Sequence, residues 1–425
     1  MTDLDLMLRF MLQILVVLTV CRLVGWFGEK YLGQAQVTME MLAGVLLGPS
    51  VFGAFAPKLQ QSLFPQFLVT GDPTSGKNPS MSILYIIAQV GLVLYMFVIG
   101  LELDLNLIKT RTKAAMAVSG AGIVLPFLLG AAVFYAMLAH RNDMFGPNIP
   151  QAIQAIYVGA AMCITAFPML ARIIYEAGIA GTPIGTLAIS AGATDDVVAW
   201  ILLAIVLAVS KGDPSIAVWA IGGGAVFAVS ILTIGKRLFE FLETRDAAEE
   251  TVSPTTFGLV MLFLFAGAWF TDAIGVYAVF GAFLVGIAMP KGRLSGFLKE
   301  RIEPITVSLF LPFFFVYSGL NTKISSLHGA DHWIICLMLV AAAIVGKFGG
   351  CYLAARACGE PKRQATAIAV LMNSRGLMEL IILNIGLQQK VITTPFFTMM
   401  VIMAIVTTFM AAPLFRKVYR DGFDT

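Results

Sequence analysis

The sequence AGATDDVVAW at residues 191–200 places two adjacent carboxylates, Asp195 and Asp196, inside the apolar run from Ile184 to Val209. A run of that length can cross a lipid bilayer as a helix. A charge at the centre of a spanning helix costs roughly 2.5–3.5 kcal/mol on insertion scales, so acids without a function are not expected there. The two aspartates therefore predict an ion or proton site with a counter-charge elsewhere in the membrane.

The composition extends this interpretation to the whole chain. Of 425 residues, 59% are hydrophobic and 12% are charged, a balance that excludes an ordinary soluble domain. Apolar segments recur from end to end, which predicts an all-α polytopic membrane protein that contacts lipid. The first apolar run follows acids rather than a basic segment and is too long for a cleaved signal peptide. The five cysteines show no metal-ligand spacing, and no metal is expected beyond a transported monovalent cation.

Hydropathy predicts about thirteen transmembrane helices. The predicted spans are 4–27, 37–55, 82–103, 113–139, 150–175, 183–209, 214–236, 254–271, 273–290, 302–320, 332–357, 363–388 and 394–416.

The loop charges predict the orientation in the membrane. With the N-terminus outside, nineteen Lys and Arg residues fall in inner loops and seven in outer loops. This excess predicts an outside N-terminus and a cytoplasmic C-terminus. The two basic residues that remain, Lys347 and Arg375, lie inside apolar spans and are the candidate counter-charges.

Two spans contain helix-breaking sequences. The fifth is interrupted by CITAFP at residues 163–168, and the twelfth by MNSRG at residues 372–376. These spans are seven apart, and an odd offset means opposite orientation in the membrane. The placement predicts inverted repeats formed by spans 1–6 and 8–13, with span 7 as connector. The four charges described above then lie where two discontinuous helices cross.

The two aspartates differ in direction. Neighbours on a helix point about 100° apart, so they cannot face one small ion in the same way. One division pairs Asp195 with Lys347 and turns Asp196 toward a water-filled cavity. Thr165 and backbone carbonyls freed at the breaks would add neutral oxygens for a monovalent cation. A site that holds either a cation or protons, exposed to one side at a time, predicts obligatory exchange without an enzymatic reaction or a cofactor.

Several motifs together resemble those of a known family. They are LAGVLLGPS (42–50), FVIGLELD (97–104), AFPMLAR (166–172), TDDVVAW (194–200), VGKF (345–348) and NSRGLMEL (373–380). In these residues the chain resembles the monovalent cation:proton antiporters. The similarity is greatest to the cation:proton antiporter-2 branch, which holds bacterial Na⁺ or K⁺/H⁺ antiporters and plant cation/H⁺ exchangers.

The resemblance implies the sodium/proton antiporter fold and exchange of Na⁺ or K⁺ for H⁺ by a homodimer in the bacterial inner membrane. It implies dimerisation helices at 1–111 and 254–330, a transport core at 112–210 and 331–425, and a linker at 211–253. The core would move like an elevator. Asp196 would be the shared cation and proton site and Asp195 the partner of Lys347. The crossing would contain five further residues, namely Phe167, Pro168, Asn373, Ser374 and Gly376.

Arg375 departs from the family pattern and leaves its own pairing open. Relatives with a second intramembrane cation pair it with an acid one turn before the key aspartate, where this chain has Ser190-Ala191-Gly192. Glu379, four residues after Arg375, is one candidate partner. If Arg375 reaches Asp195 instead, Lys347 is freed.

Two other classes of function remain as alternatives. A gated cation channel would favour a symmetric filter, which the sequence does not show. An organic-anion symporter could use Lys347 and Arg375 to bind a carboxylate, although two aspartates beside them oppose that. No feature of the sequence indicates nucleic-acid binding.

Overall fold

The computed structural model describes residues 3–34, 36–69, 72–102, 112–141, 143–147, 149–179, 182–210, 218–245 and 252–419. Its described elements are helices apart from one short antiparallel pair of strands, β1 (Phe67–Val69) and β2 (Asp72–Lys77). The predicted all-α fold class is confirmed.

The described residues of the first half of the chain contain nine helices. They are α1 (Asp3–Phe27), α2 (Gln36–Leu47), α3 (Phe52–Phe55), α4 (Pro57–Leu63), α5 (Pro79–Glu102), α6 (Thr112–Val133), α7 (Gln151–Cys163), α8 (Phe167–Glu176) and α9 (Pro183–Ser210). Single π-helical turns extend α1 over Gly28–Leu32 and α6 over Phe134–Leu138.

The described residues of the second half contain ten helices. Its helices are α10 (Gly224–Ser230), α11 (Lys236–Arg245), α12 (Pro254–Ala273), α13 (Ala278–Ala288), α14 (Arg293–Ile305), α15 (Leu311–Leu320), α16 (Gly329–Ala357), α17 (Lys362–Met372), α18 (Leu377–Gln388) and α19 (Thr394–Tyr419). Turns of π-helix at Trp219–Gly223, Ile231–Gly235 and Thr306–Phe310 join neighbouring pieces, and Ile324–Ser326 is a short 3₁₀ turn.

In the described residues, each predicted span coincides with a helix or with a series of helical pieces. Among the described residues, eight helical segments are long and apolar enough to cross a membrane. The predicted spans at 254–271 and 273–290 are two helices separated by a tight turn at residues 274–277. Helix α4 and the two strands lie between the second and third predicted spans.

The chain divides into two compact units. The first comprises Met1–Met81, Leu107–Val206 and Phe315–Thr425, and the second comprises Ser82–Asn106 and Leu207–Phe314. The first unit contains α6 to α8, α16 to α19 and most of α9, so it contains every candidate site residue. It also contains α1 and α2, which the family resemblance assigns to dimerisation.

Within the first unit, α6 and α16 pack at close range. A Cβ added at Gly346 of α16 would lie 2.7 Å from the Cα of Pro126 in α6. Such an approach is possible because glycine has no side chain, as is common between membrane helices. The approach fixes the depth at which Lys347, the next residue along α16, enters the core of this unit.

Candidate functional site

The breaks in the fifth and twelfth spans contact each other. Helix α7 ends at Cys163, the next residues are extended, and α8 begins at Phe167. Helices α17 and α18 are separated by Asn373 to Gly376, where Gly376 has a φ of 148° that side chains rarely adopt. The backbone N–H of Ala166 donates to the carbonyl of Ser374 at 3.0 Å. The two discontinuous helices therefore meet through their backbones, as the sequence predicts.

Pro168 helps to place the first break. It has no backbone N–H to donate, so it suits the first turn of α8 and would disrupt one long helix. Its side chain lies outside the described residues. Phe167 is buried beside it, and the Ser374 hydroxyl donates to the carbonyl of Leu371 at 2.8 Å within the second break.

Asp195 is the centre of a dense set of contacts. Helix α9 brings it to the crossing, where the residue is 1% exposed. Lys347 Nζ lies 2.6 Å from Asp195 Oδ2, and the Thr165 hydroxyl donates to the same oxygen at 2.6 Å. The Ser119 hydroxyl of α6 donates to Oδ1 at 2.5 Å. Both carboxylate oxygens are therefore satisfied as acceptors.

Lys347 has a second acceptor. Its ammonium group, which is fully buried, also donates to the backbone carbonyl of Cys163 at 2.6 Å. That carbonyl is at the C-terminal end of α7, where the helix dipole favours a positive charge. Lys347 thus joins three elements of the site: its own helix, the first break and the aspartate helix.

Asp196 has the opposite surroundings. It is fully buried, and neither of its carboxylate oxygens has a hydrogen-bond partner of good geometry among the described residues. The backbone amide of Phe167, at the start of α8, faces it at the N-terminal end of that helix. Burying a bare carboxylate is costly. Asp196 is therefore best accommodated when it holds a proton or a cation.

Arg375 caps the end of α7. Its guanidinium group donates to the backbone carbonyls of Ala161 at 3.3 Å and of Met162. The same group lies 3.7 Å from Glu379 Oε2, one helical turn away, and both residues are buried. Of the two alternatives left open by the sequence, this structure therefore has Lys347 beside Asp195 and Arg375 beside Glu379.

The geometry can be compared with known proteins. The family model described as "Sodium/hydrogen exchanger, transmembrane" matches residues 8–417.

The chain belongs to the sodium/hydrogen exchanger family.

Individual relatives agree with this membership. The chain is 37% identical over 420 residues to the Na⁺/H⁺ antiporter NhaS4 of Synechocystis sp., covering 98% of each chain. It is 36% identical to cation/H⁺ antiporter 17 of Arabidopsis thaliana, covering 97% of this chain and 48% of the plant protein. The chain thus spans about half the length of this plant relative.

A solved structure of the sodium proton antiporter MjNhaP1 from Methanocaldococcus jannaschii shares the fold. The TM-score is 0.67 at 15% sequence identity, with 98% of this chain and all of the other covered. At this level of identity the likeness concerns the fold and not the site chemistry.

Some residues of this sodium/hydrogen exchanger site were missed by sequence reasoning. Ser119 is a serine in an apolar span, and the sequence contains no signal that connects it to Asp195. Thr408 of α19 accepts from the Arg375 backbone N–H at 3.2 Å and donates to its carbonyl at 2.6 Å. Asn373 of the second break, by contrast, was predicted from the sequence, and it is buried. Glu40 of α2 is also buried, and it accepts from Gln36 at 2.8 Å.

Proposed function

We propose that this protein exchanges Na⁺ or K⁺ for protons and that Asp196 is the carboxyl for which they compete. The observation that carries the proposal is the contrast between two adjacent acids in one buried site. Asp195 accepts from three donors, whereas Asp196 accepts from none with good geometry among the described residues. An acid in the second situation can take a proton or a cation without breaking an existing bond.

Neutral oxygens near the crossing would complete a cation site. Membrane transporters coordinate small cations with unwound backbone carbonyls beside a carboxylate. Here the neutral oxygens would be the Thr165 hydroxyl oxygen and the backbone carbonyls of the two breaks. Thr165 already donates its proton to Asp195, so its oxygen lone pairs are available for a cation.

Lys347 and Asp195 would supply a further change in charge. If the ammonium group releases its proton when a cation enters, Asp195 is still held by Ser119 and Thr165. One proton from Lys347 and one from Asp196 would then be exchanged for one cation, so the exchange would respond to membrane voltage. Arg375 and Glu379 would remain paired throughout and would support the break structurally.

Alternating access is the transport mode that we propose. The site residues lie in one compact unit of the chain, which could expose them to one side of the membrane at a time. We propose the transport core and dimerisation helices as assigned from the resemblance, and a homodimer in the bacterial inner membrane. The loop charges favour an outside N-terminus. Lys30 lies 4.8 Å from the Trp26 ring centre at the end of α1, as interfacial residues do.

Reconstitution in liposomes tests the exchange. Proton movement would be recorded after addition of Na⁺, K⁺ or Li⁺, with the membrane potential clamped at zero or at a set value. The native chain should move protons in response to at least one of these cations, and Asp196→Asn should not. Asp331→Asn, which alters an exposed aspartate, is the matched control and should behave as the native chain does.

The outcomes separate the classes of function. Cation flux without coupled proton movement would favour a channel and overturn the proposal. So would an Asp196→Asn protein with native activity. A rate that depends on voltage would support two protons per cation, whereas a rate indifferent to voltage would mean that the Lys347 and Asp195 pair does not change its charge.

A further inference from the structure

Ser119 is a buried polar side chain that enters the exchange described above only as one of the three donors to Asp195. It lies in the middle of α6, is 1% exposed, and donates to Asp195 Oδ1 at 2.5 Å. Its chain neighbours Ala117, Val118 and Gly120 are apolar. A hydroxyl in such a segment needs a partner, and the aspartate, 76 positions along the chain, is that partner.

The two oxygens of Asp195 accept hydrogen bonds from different residues. Lys347 and Thr165 both approach Oδ2, while Ser119 approaches Oδ1. Hydrogen bonds to a carboxylate stabilise its ionised form and fix its rotation. Ser119 therefore fixes which oxygen faces the ammonium group, and it keeps a donor on the carboxylate when that ammonium group changes its protonation.

The position of Ser119 relative to Lys347 is set by backbone packing. A Cβ added at Gly122, less than one turn beyond Ser119, would lie 3.6 Å from Lys347 Nζ and 2.6 Å from the sulfur of Cys351. With the approach of Gly346 to Pro126, this leaves little freedom for α6 to shift along α16. The hydroxyl and the ammonium group therefore reach the carboxylate as one rigid arrangement.

We infer that Ser119 is a positioning residue that holds Asp195 ionised and directed at Lys347, leaving Asp196 as the carboxyl that takes up the transported cation or proton. The inference rests on the proposed exchange and deepens it. Ser119 thereby determines which of two chemically identical acids stays paired with Lys347 and which one binds the ion.

The test is the pH profile of cation-driven proton flux in liposomes. Ser119→Ala removes one of the donors that fix and stabilise the carboxylate of Asp195, so exchange in this variant should require a more alkaline pH. We expect half-maximal exchange to move by about one pH unit toward alkaline pH, which corresponds to about 1.4 kcal/mol. The charge moved per cation should fall at the same time. Ser119→Thr restores a hydroxyl and should return the profile toward that of the native chain.

Ser190→Ala is the matched control. Ser190 is equally buried and lies on the aspartate helix, but its hydroxyl donates to the backbone carbonyl of Thr186 at 2.8 Å. Removing it should leave the pH profile in place. If Ser119→Ala does not fold, Ser119→Cys, which keeps the size but donates weakly, replaces it and is compared with Ser119→Thr.

Each result decides one claim. A native pH profile in Ser119→Ala, or in Ser119→Cys where that variant replaces it, would overturn the role of Ser119 while the native exchange stands. An equal shift in Ser190→Ala would overturn it as well, because any buried serine would then act alike. Absence of exchange in the native chain would reject the proposed function itself.

Discussion

The surroundings of Asp195 and Asp196 predict opposite effects of the same substitution on stability. Asp196→Asn removes a buried carboxylate without a donor of good geometry, so it should abolish exchange while raising the free energy of unfolding by about 1 kcal/mol. Asp195→Asn leaves the Lys347 ammonium group buried beside a neutral amide and should lower the free energy of unfolding by about 3–5 kcal/mol. Thermal unfolding in detergent measures both, and equal changes would contradict the contrast between the two sites.

Arg375 predicts a difference between two basic side chains. Its guanidinium fork reaches two consecutive carbonyls of α7, and the point charge of a lysine cannot serve both in the same way. Arg375→Lys should lower the free energy of unfolding by about 2 kcal/mol, as for loss of one charged hydrogen bond. Arg141→Lys is the control, since Arg141 pairs with the exposed Asp331 at 2.7 Å and should change stability by less than about 0.5 kcal/mol. Similar losses in both variants would argue against a capping role.

The charged residues of the site could be found from the sequence because charge is rare within an apolar span. Asp195, Asp196, Lys347 and Arg375 each violate the composition of their surroundings. Ser119 does not, since a serine costs little in a membrane helix and its partner is distant in the chain. The acceptors of Arg375 could not be predicted from the sequence either. Every residue has a backbone carbonyl, and which of them are free to accept depends on where a helix ends.

At the level of the helices, the contact between α6 and α16 distinguishes two neighbouring glycines. A Cβ at Gly346 would lie 2.7 Å from Pro126 Cα, whereas one at Gly349 would meet Leu125 Cδ2 at an ordinary 3.7 Å. Gly346→Ala should therefore force the helices apart, lower stability by about 1–3 kcal/mol and slow exchange by separating Lys347 from Ser119. Gly349→Ala should be neutral or stabilising by up to about 1 kcal/mol, since alanine favours a helix. Thermal unfolding and cation-driven proton flux would be measured for both variants. If Gly346→Ala changed neither, the contact between α6 and α16 would accommodate the added methyl group and the prediction would be wrong.

The breaks and their crossing could be predicted, and the atoms that contact each other there could not. Proline at residue 168 and glycine at residue 376 oppose a continuous helix, and the seven-span offset gives the two broken spans opposite orientation. Which atoms meet depends on the depth of each break in the unit. The bond from Ala166 to Ser374 joins backbone groups that any residue would supply.

For the whole molecule, hydropathy predicts thirteen spans because every long apolar run needs its own crossing, and eight helical segments of the described residues are long and apolar enough to make one. The pieces within a span follow less directly. The turns of π-helix at Trp219–Gly223, Ile231–Gly235 and Thr306–Phe310 could not be predicted, since a single π-helical turn inside a helix leaves no signature in the apolar pattern. The two strands between α4 and α5 could not be predicted either, because a polar, proline-containing sequence is typical of a loop.

Binding of the transported ion should be visible as a change in the stability of the whole protein. A ligand that binds the folded chain and not the unfolded chain stabilises it by RT ln(1 + [L]/Kd), about 2.7 kcal/mol at one hundred times Kd. If protons and cations compete for Asp196 as proposed, the transported cation should raise the unfolding temperature most at alkaline pH. The increase should shrink as pH falls and a proton occupies the carboxyl.

The comparison of Na⁺, K⁺ and Li⁺ at constant ionic strength, with choline as the inert cation, would identify the ion that is bound. The stabilisation should vanish in Asp196→Asn and persist in Asp331→Asn, which alters an exposed carboxyl. An equal stabilisation by every cation, or one that survives in Asp196→Asn, would locate the bound ion elsewhere in the protein. A stabilisation that grows toward acidic pH would reverse the sign of the competition and exclude a site shared by cation and proton.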